Sequence, residues 1–305
     1  MDRIKPTIET QNLSFAIGNT QILKDVCLSV PKGSIYGFLG PNGAGKTTLI
    51  RLMLNLFSAG EGKIFLFGED VTKHRVKLLK RLGRFVEQPS LYGHLTGAEN
   101  LDIARRYYNA PASRVALVLK IVGMAEFANR KVNAYSLGMR QRIAIGQALI
   151  HDPELLILDE PTNGLDPNGI KEIRELLVSL NREHGKTIFV SSHLLSEIEK
   201  MCTHVSVIHK GCVLYQGTIE GLNGSSESKL DVKVIDVQKA KSALKKQGID
   251  AVHNHNSTLS INIESEIQVA AINRFLVDEG IDVLGLTVHQ HNLEEVFIEL
   301  TNSNH

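Results

Sequence analysis

Residues 40–47 read GPNGAGKT and match the pattern G-x-x-x-x-G-K-[S/T]. The apolar run SIYGFL (34–39) precedes this stretch, and TTLIRLMLNLF (47–57) carries a helical apolar pattern. A strand, a glycine-rich loop and a helix are therefore predicted in succession. The glycines allow backbone N–H groups to turn toward phosphate oxygens at the positive end of the helix, so the stretch predicts a phosphate-binding loop.

Two further features suit magnesium and phosphate chemistry. Lys46 can reach outer phosphates, and the Thr47 hydroxyl is placed to ligate Mg²⁺. The run LLILDE (155–160) is an apolar strand that ends in two carboxylates, Asp159 and Glu160. Alone, this pair fits a solvated acidic turn equally well. Beside a phosphate loop, Asp159 can hold Mg²⁺, and Glu160 becomes the candidate base for an attacking water.

The order of predicted elements indicates an α/β core. Short β-rich runs fill the segment before residue 40, and residues 96–147 are mostly helical in periodicity. LLILD and TIFVSS (187–192) are continuous apolar runs typical of central parallel strands. VSVIHKGCVLYQG (205–217) predicts a hairpin that turns at Lys210-Gly211. Alternating strands and helices predict a parallel sheet that carries a mainly helical insertion.

A second, smaller domain is predicted after a Gly/Ser-rich segment, GLNGSSESK (221–229). Beyond it the patterns follow the order β-α-β-β-α-β, which is ferredoxin-like. An amphipathic helix, NLEEVFIEL (292–300), comes last. We therefore divide the chain into a nucleotide-binding domain (1–222, helical subdomain about 90–145), a linker (223–229) and a C-terminal α+β domain (230–305).

Composition narrows the functional classes. The 305 residues are 43% hydrophobic and 22% charged, which is ordinary globular usage. The net charge is 34 − 33 = +1, so no strong field points to nucleic acid or an anionic membrane. Three scattered cysteines predict reduced, buried or semi-buried thiols in a cytosolic protein. No apolar stretch approaches the roughly 18 residues that span a bilayer, so any membrane role requires a spanning partner.

Three shorter motifs lie between and after these strands. YSLGMRQR (135–142) opens a helix in which Ser136 is a plausible N-cap and Gly138 leaves the helix N-terminus open to an anion. Capping alone would make this a purely structural helix start. NGLD (163–166) forms a turn after Glu160, and SSH (191–193) follows a buried strand.

The phosphate loop, YSLGM, LLILDEP, NGLD and SSH, in this order and spacing, resemble the ATP-binding cassette (ABC) ATPases that drive ABC transporters. The resemblance covers about residues 7–220. It implies a cassette with a parallel-sheet core, an antiparallel β subdomain and a helical subdomain, with ATP and Mg²⁺ as cofactors. It also implies a homodimer of cassettes packed head to tail, each nucleotide lying between one chain's phosphate loop and the other's signature helix.

The resemblance assigns roles to single residues. Asp159 would support Mg²⁺ together with Thr47, Glu160 would be the catalytic base, and His193 the switch histidine on the γ-phosphate. The residues that would cradle the phosphates are Gly40, Pro41, Asn42, Gly43, Ala44, Gly45, Lys46, Thr47 and Thr48.

Other roles concern the dimer. Ser136 and Gly138 would cap the γ-phosphate bound by the partner, and Asp166 belongs to the loop that communicates across the dimer. The commonest family signature is LSGGQ; here Ser136 and Gly138 are kept, while Leu137 and Met139 are replacements.

Two further positions depart from the family pattern. Where an adenine-stacking aromatic is expected, the chain has Ile17; Phe15 lies two residues away, on the same face of a strand, and is the alternative. The family's Gln loop places a glutamine two residues before a proline such as Pro89, and here that residue is Glu87. In the family this loop touches Mg²⁺ and the lytic water and faces the permease. A carboxylate also ligates Mg²⁺; the alternative is that Glu87 and Gln88 are merely swapped in a solvated loop.

This Glu loop, with YSLGMRQR and an ending like LEEVFIELT, resembles one branch of the family. These are ATPase subunits of bacterial exporters that protect producers against bacitracin or lantibiotic peptides, and their permeases are separate chains. The resemblance implies an integral-membrane permease in trans, antimicrobial-peptide cargo, and a cytoplasmic location, peripheral on the inner face of the membrane. Coupling is expected through residues 87–108.

Three alternatives stay open at this point. A soluble cassette ATPase acting in translation or DNA repair is disfavoured by the single cassette and the near-zero charge. A lipid, a drug or an ion could be the cargo instead of a peptide. The C-terminal domain could bind a regulatory ligand, since His253-x-His255 and His289-x-His291 invite a metal hypothesis, although solvated loop histidines explain these pairs better.

Overall fold

The computed structural model describes residues 5–59, 63–86, 90–224, 228–254, 257–263 and 266–289. The chain separates into two compact units, Met1–Ile219 and Glu220–His305. The domain limits drawn from the sequence, at 222 and 230, stay a prediction.

The first unit contains strands and helices in alternation. Its strands are β1 (Ile8–Ile17), β2 (Thr20–Val30), β3 (Ile35–Leu39), β4 (Ile64–Leu66), β5 (Glu69–Asp70), β6 (Leu82–Phe85), β7 (Leu155–Asp159), β8 (Thr187–Ser192), β9 (His204–His209) and β10 (Cys212–Thr218). Its helices are α1 (Lys46–Met53), α2 (Arg75–Leu79), α3 (Gly97–Tyr107), α4 (Ser113–Ile121), α5 (Leu137–Leu149), α6 (Pro167–Arg182) and α7 (Leu195–Met201).

The central sheet of this unit has the strand order β10-β9-β3-β8-β7-β6. All its neighbouring strands are parallel except the β9–β10 hairpin. Every residue of β3, β7 and β8 is buried, as expected of central strands that are covered on both faces. The prediction of central strands at LLILD and TIFVSS is confirmed.

A second, antiparallel sheet has the order β2-β1-β4-β5. Its apolar side chains form one core with those of α1 and of the central strands. The ring of Phe15 stacks on Phe57, with 5.5 Å between the ring centroids. The hairpin predicted at Lys210-Gly211 is present. Both turn residues have positive φ (46° and 82°), as a two-residue turn between twisted strands requires.

The helical segment packs α3, α4 and α5 against one another. Thr96 and Glu99 form a reciprocal capping box at the start of α3, and Ser136 caps α5 by accepting a hydrogen bond from the Met139 N–H. Helix α5 ends at Leu149, beyond the expected limit of the helical subdomain near residue 145. Its last turns pack on β6, so this helix joins the insertion to the central sheet.

The second unit begins within α8 (Ile219–Gly224). It continues through β11 (Ser228–Val234), α9 (Val237–Lys246), β12 (Ala251–Asn254), β13 (Thr258–Ile263), α10 (Glu266–Asp278) and β14 (Val283–His289). This is the β-α-β-β-α-β order read from the sequence. The strands form an antiparallel sheet in the order β12-β13-β11-β14, packed on α9 and α10. Its ferredoxin-like classification stays a prediction.

Several expectations about this region meet the structure only in part. Residues 223 and 224 end α8 and residues 228 and 229 begin β11, so the ends of the expected linker are helix and strand. Residues 225–227, the predicted last helix (292–300), His255 and His291 lie outside the described residues.

Two expectations concern the whole chain. Of the three cysteines, Cys202 is buried and Cys212 intermediate, but Cys27 is exposed, against expectation. Within the described ranges, no helix combines the length and apolar character needed to cross a bilayer.

The junction of β6 and α5 leaves no room for a side chain at Gly83. A Cβ on Gly83 would lie 2.2 Å from the carbonyl oxygen of Ala148. We expect Gly83→Ala to lower the free energy of unfolding by about 1–3 kcal/mol, because the backbone of α5 must move away. Equilibrium urea unfolding measures this. The strand glycine Gly285, where an added Cβ meets nothing within 4 Å, is the matched control; equal midpoints for Gly83→Ala and wild type would contradict the prediction.

Candidate functional site

The loop between β3 and α1 has the shape expected of a phosphate cradle. Gly45 caps α1 with φ 108°, a left-handed conformation that an L side chain rarely adopts. A Cβ there would also lie 2.7 Å from Leu23 Cδ2. The α1 N-terminus therefore follows directly on a tight glycine turn, which leaves the helix's first N–H groups and its positive end facing the loop.

Lys46 holds a buried positive charge at this loop. Its side chain is only 6% exposed, and Nζ donates to the carbonyl oxygens of Gly40 (2.7 Å) and Pro41 (3.2 Å). Nζ also lies 3.1 Å from Oε1 of Glu160. A buried ammonium needs such partners, and the arrangement fits a cation that would be shared with a bound phosphate.

Glu160 lies between Lys46 and His193. His193 Nδ1 is 2.6 Å from Glu160 Oε2. Glu160 Oε1 is buried and, apart from its ion pair with Lys46, has no hydrogen-bond partner among the described residues. The structure thus brings together the three side chains that the sequence proposed around the γ-phosphate.

Thr47 and Asp159 form the second part of the cluster. The Thr47 hydroxyl donates to Asp159 Oδ2 at 2.8 Å, although the two residues are 112 positions apart in the chain. Oδ1 of the same carboxylate accepts a hydrogen bond from the Ser191 hydroxyl at 2.5 Å. A carboxylate and hydroxyls form an oxygen donor set, which is the chemistry that Mg²⁺ prefers, so these residues fit the ion.

Ser191 is a site residue that the sequence reasoning missed. It is fully buried on β8 and pairs in register with Asp159 on the neighbouring parallel strand. Besides donating to Asp159, its Oγ accepts the Glu160 backbone N–H at 2.9 Å. It therefore orients the Asp159 carboxylate and holds the backbone of Glu160. A small polar residue at the end of an apolar strand was the available signal, but it becomes informative only with the strand register.

The signature residues lie elsewhere. Ser136, Gly138 and Asp166 line a groove of about 620 Å³ between the starts of α5 and α6. Asp166 caps α6 by accepting the Gly169 N–H at 3.0 Å. The lining of this groove includes no residue of the phosphate loop. Within one chain, the predicted site residues thus form two separate groups.

The adenine candidates have different surroundings. The pairing of β1 with β2 shifts register beside Phe15, and the extra residue there, Ile22, lies on β2. The expectation that Phe15 and Ile17 share a face of β1 stays a prediction. Phe15 packs against the core and stacks on Phe57, while Ile17 is 53% exposed at the end of β1. Glu87, the remaining predicted residue, lies outside the described residues.

Together, the glycine loop, the buried lysine and the strand-end carboxylates define a P-loop nucleotide hydrolase. The comparisons with known proteins then give the family. The ABC transporter family matches residues 23–163. The chain is 41% identical to the bacitracin transport ATP-binding protein BcrA of Bacillus licheniformis over 96% of both chains. It is 37% identical to the lantibiotic transport ATP-binding protein SrtF of Streptococcus pyogenes, over 72% of this chain and 94% of that one.

Solved structures agree. The cbiO1 protein of Clostridium perfringens, part of the ABC transporter complex cbiONQ, superposes with TM-score 0.68 at 26% identity, covering 80% of this chain and 98% of that one. A dimeric ATP-binding cassette in a post-hydrolysis state with ADP and Pi gives TM-score 0.61 at 27% identity, over 70% of this chain and 98% of that one. The chain belongs to the ATP-binding proteins of ABC transporters, and it is an ATPase.

The contacts of Ser191 generate a prediction. We expect Ser191→Ala to raise the Mg²⁺ concentration for half-maximal ATPase activity by about 10-fold or more, because Asp159 loses the hydroxyl that orients it. A Mg²⁺ titration of ATP hydrolysis by the purified chain measures this. Ser196→Ala removes an exposed hydroxyl on α7 and serves as the control. An unchanged Mg²⁺ requirement in Ser191→Ala would refute the role.

Proposed function

We propose that this chain is the ATP-hydrolysing subunit of a bacterial exporter, and that it powers a separate membrane permease to expel an antimicrobial peptide of the bacitracin or lantibiotic kind. The observation that carries the hydrolytic part is the Glu160 carboxylate held between Lys46 and His193. The cargo is inferred from similarity to a bacitracin transport protein along 96% of the chain, which extends through the C-terminal unit.

In the proposed reaction, residues 40–48 bind the ATP phosphates and Lys46 neutralises their outer charge. Thr47 and Asp159 hold Mg²⁺, which would supply charge stabilisation to the phosphate oxygens. Glu160 accepts the proton of the attacking water, and His193 keeps its Oε2 oriented at 2.6 Å. Each of these side chains is already in contact with another member of the cluster.

A second copy of the chain completes the site in this proposal. The signature groove contains Ser136, Gly138 and Asp166 but no phosphate-loop residue, so these groups can act on a nucleotide only when it is bound by another cassette. Helix α5 begins at that groove, and its positive N-terminal end favours an anion such as a γ-phosphate. The homodimer would close on ATP and reopen after hydrolysis.

For the adenine we favour Ile17 over Phe15. The exposed side chain of Ile17 offers an apolar surface, while Phe57 covers one face of Phe15. For Glu87 the proposal from the sequence stands unchanged: a carboxylate ligand to Mg²⁺ at the loop that faces the permease.

A groove of about 740 Å³ supports the permease as partner. It lies between the end of α1, β6, α3 and α5, and part of its lining belongs to the region 87–108 where coupling is expected. Tyr92, Ile103 and Tyr107 are large apolar side chains with exposed surface in its lining, and Tyr107 is 79% exposed. Exposed aromatic residues of this kind are typical of protein interfaces. Docking there would place the chain peripherally on the cytoplasmic face of the membrane.

The first test is the variant Glu160→Gln. We expect its ATPase kcat to fall by about 100-fold or more, because the amide cannot accept the proton of the water. ATP binding should persist, since Lys46 and the loop are retained, and the bound nucleotide should trap the dimer. Steady-state hydrolysis, nucleotide binding and light scattering measure the three effects. Glu183→Gln, an exposed change at the end of α6, is the control; normal turnover by Glu160→Gln would show that the base is wrongly assigned.

The second test concerns the cargo. Deletion of the gene from its native cell should lower tolerance to bacitracin or to a lantibiotic, because the permease loses its energy source. Wild-type chain should restore tolerance, and the Glu160→Gln chain should not. Growth in graded peptide concentrations measures this. Unchanged tolerance to both peptides, with altered export of a lipid, a drug or an ion, would show that the transporter carries another class of cargo.

A further inference from the structure

A third carboxylate lies buried near the catalytic cluster, and the mechanism above does not use it. Glu197 is in the first turn of α7 and is only 4% exposed. Its Oε2 accepts a hydrogen bond from the hydroxyl of Thr162, which is itself buried. Among the described residues, its Oε1 has no hydrogen-bond partner. Glutamate is rarely buried to this extent without a specific partner. The hydrogen bond to Thr162 is therefore the contact through which we expect Glu197 to act.

The contact with Thr162 parallels the contact between the two catalytic side chains. His193 and Glu197 belong to the segment that leads from β8 into α7, whereas Glu160 and Thr162 belong to the turn that follows β7. His193 bonds Glu160, and Glu197 bonds Thr162. Two side-chain hydrogen bonds therefore join the same two segments. The bond between His193 and Glu160 involves the groups proposed to act on the γ-phosphate. The bond between Glu197 and Thr162 is buried.

Thr162 also connects this contact to the loop of the signature groove. The turn is closed by backbone hydrogen bonds from Asn163 N to Glu160 O (3.1 Å) and from Leu165 N to Thr162 O (3.2 Å). Asp166, the cap of α6, follows immediately. A displacement of Thr162 would therefore be transmitted to Glu160 on one side and to the groove on the other.

The chemistry of the Glu197 side chain suits a structural hydrogen bond. Burial raises the pKa of Glu197, and the nearby Glu160 carboxylate acts in the same direction, while the Thr162 hydrogen bond and His193 lower the pKa. A neutral carboxyl avoids the cost of a buried anion whose second oxygen is unpaired. Glutamine has the same shape and a neutral polar head, so it can make the same contact.

We propose that Glu197 is a positioning residue for ATP hydrolysis: its hydrogen bond to Thr162 holds the Glu160 turn against the His193 segment, and so sets the geometry of the base. This inference rests on the proposed function of Glu160 and His193. Glu197 contacts neither nucleotide nor water in this role, and its effect is expressed through the other residues.

Four variants of the full-length chain test it, each assayed for kcat and KM of ATP hydrolysis, nucleotide affinity and thermal unfolding. Glu197→Ala should lower kcat about 10- to 100-fold, as expected for a misplaced base, and leave KM for ATP close to wild type. Glu197→Gln should keep most of the wild-type kcat. Glu199→Ala, an exposed change on the same helix, is the control. Thr162→Val, which removes only the hydroxyl, should reproduce the loss of kcat.

A double variant gives a further check on the coupling between Glu197 and Thr162. If the two residues act through one bond, the double variant Glu197→Ala/Thr162→Val should be no slower than either single variant. Should Glu197→Ala fail to fold, Thr162→Val carries the test alone.

A wild-type kcat in Thr162→Val, a raised KM with unchanged kcat, or a Glu197→Gln chain as slow as Glu197→Ala would each overturn the inference. A wild-type chain that hydrolyses no ATP would overturn the proposed function and this inference with it.

Discussion

The buried charge of Lys46 is the constraint on which the site depends. An ammonium group taken out of water is stable only when anionic or carbonyl oxygens surround it. Here Gly40 and Pro41 supply carbonyl oxygens from the phosphate loop, and Glu160 supplies a carboxylate oxygen from the end of β7. The same contact therefore satisfies the lysine and fixes the proposed base beside the loop.

The parallel sheet makes this contact possible. β3, β7 and β8 are adjacent and parallel, so their carboxyl ends meet at one edge. Each strand delivers its polar residues there directly after a buried apolar run: the phosphate loop after β3, Asp159 on β7, and Ser191 on β8. A crevice at the carboxyl ends of open α/β sheets is where such folds bind ligands. Register, rather than proximity in sequence, assembles the donor set.

The polar residues of one chain form two separate groups, and the proposed homodimer would bring the group of one copy to the other group of its partner. The phosphate-loop cluster can hold a nucleotide, and the signature groove offers a helix N-terminus without a phosphate site of its own. Thr162 and its neighbours lie between the two groups, on the turn that joins Glu160 to Asp166. The base and the groove are thus connected by the segment 160–166 and by the hydrogen bonds within it.

The sequence by itself determined the phosphate loop, the order of strands and helices, the carboxylates at the end of β7 and the family, because these features are local patterns of glycine, charge and apolar periodicity. It also located the hairpin at Lys210-Gly211. Only the tertiary structure revealed Ser191 and Glu197 as partners of the site, since their roles depend on contacts with Asp159 and Thr162, which are distant in the chain. The register shift between β1 and β2 beside Phe15 is likewise a matter of strand pairing. Such pairings are set by packing between elements, and no pattern within a short window records them.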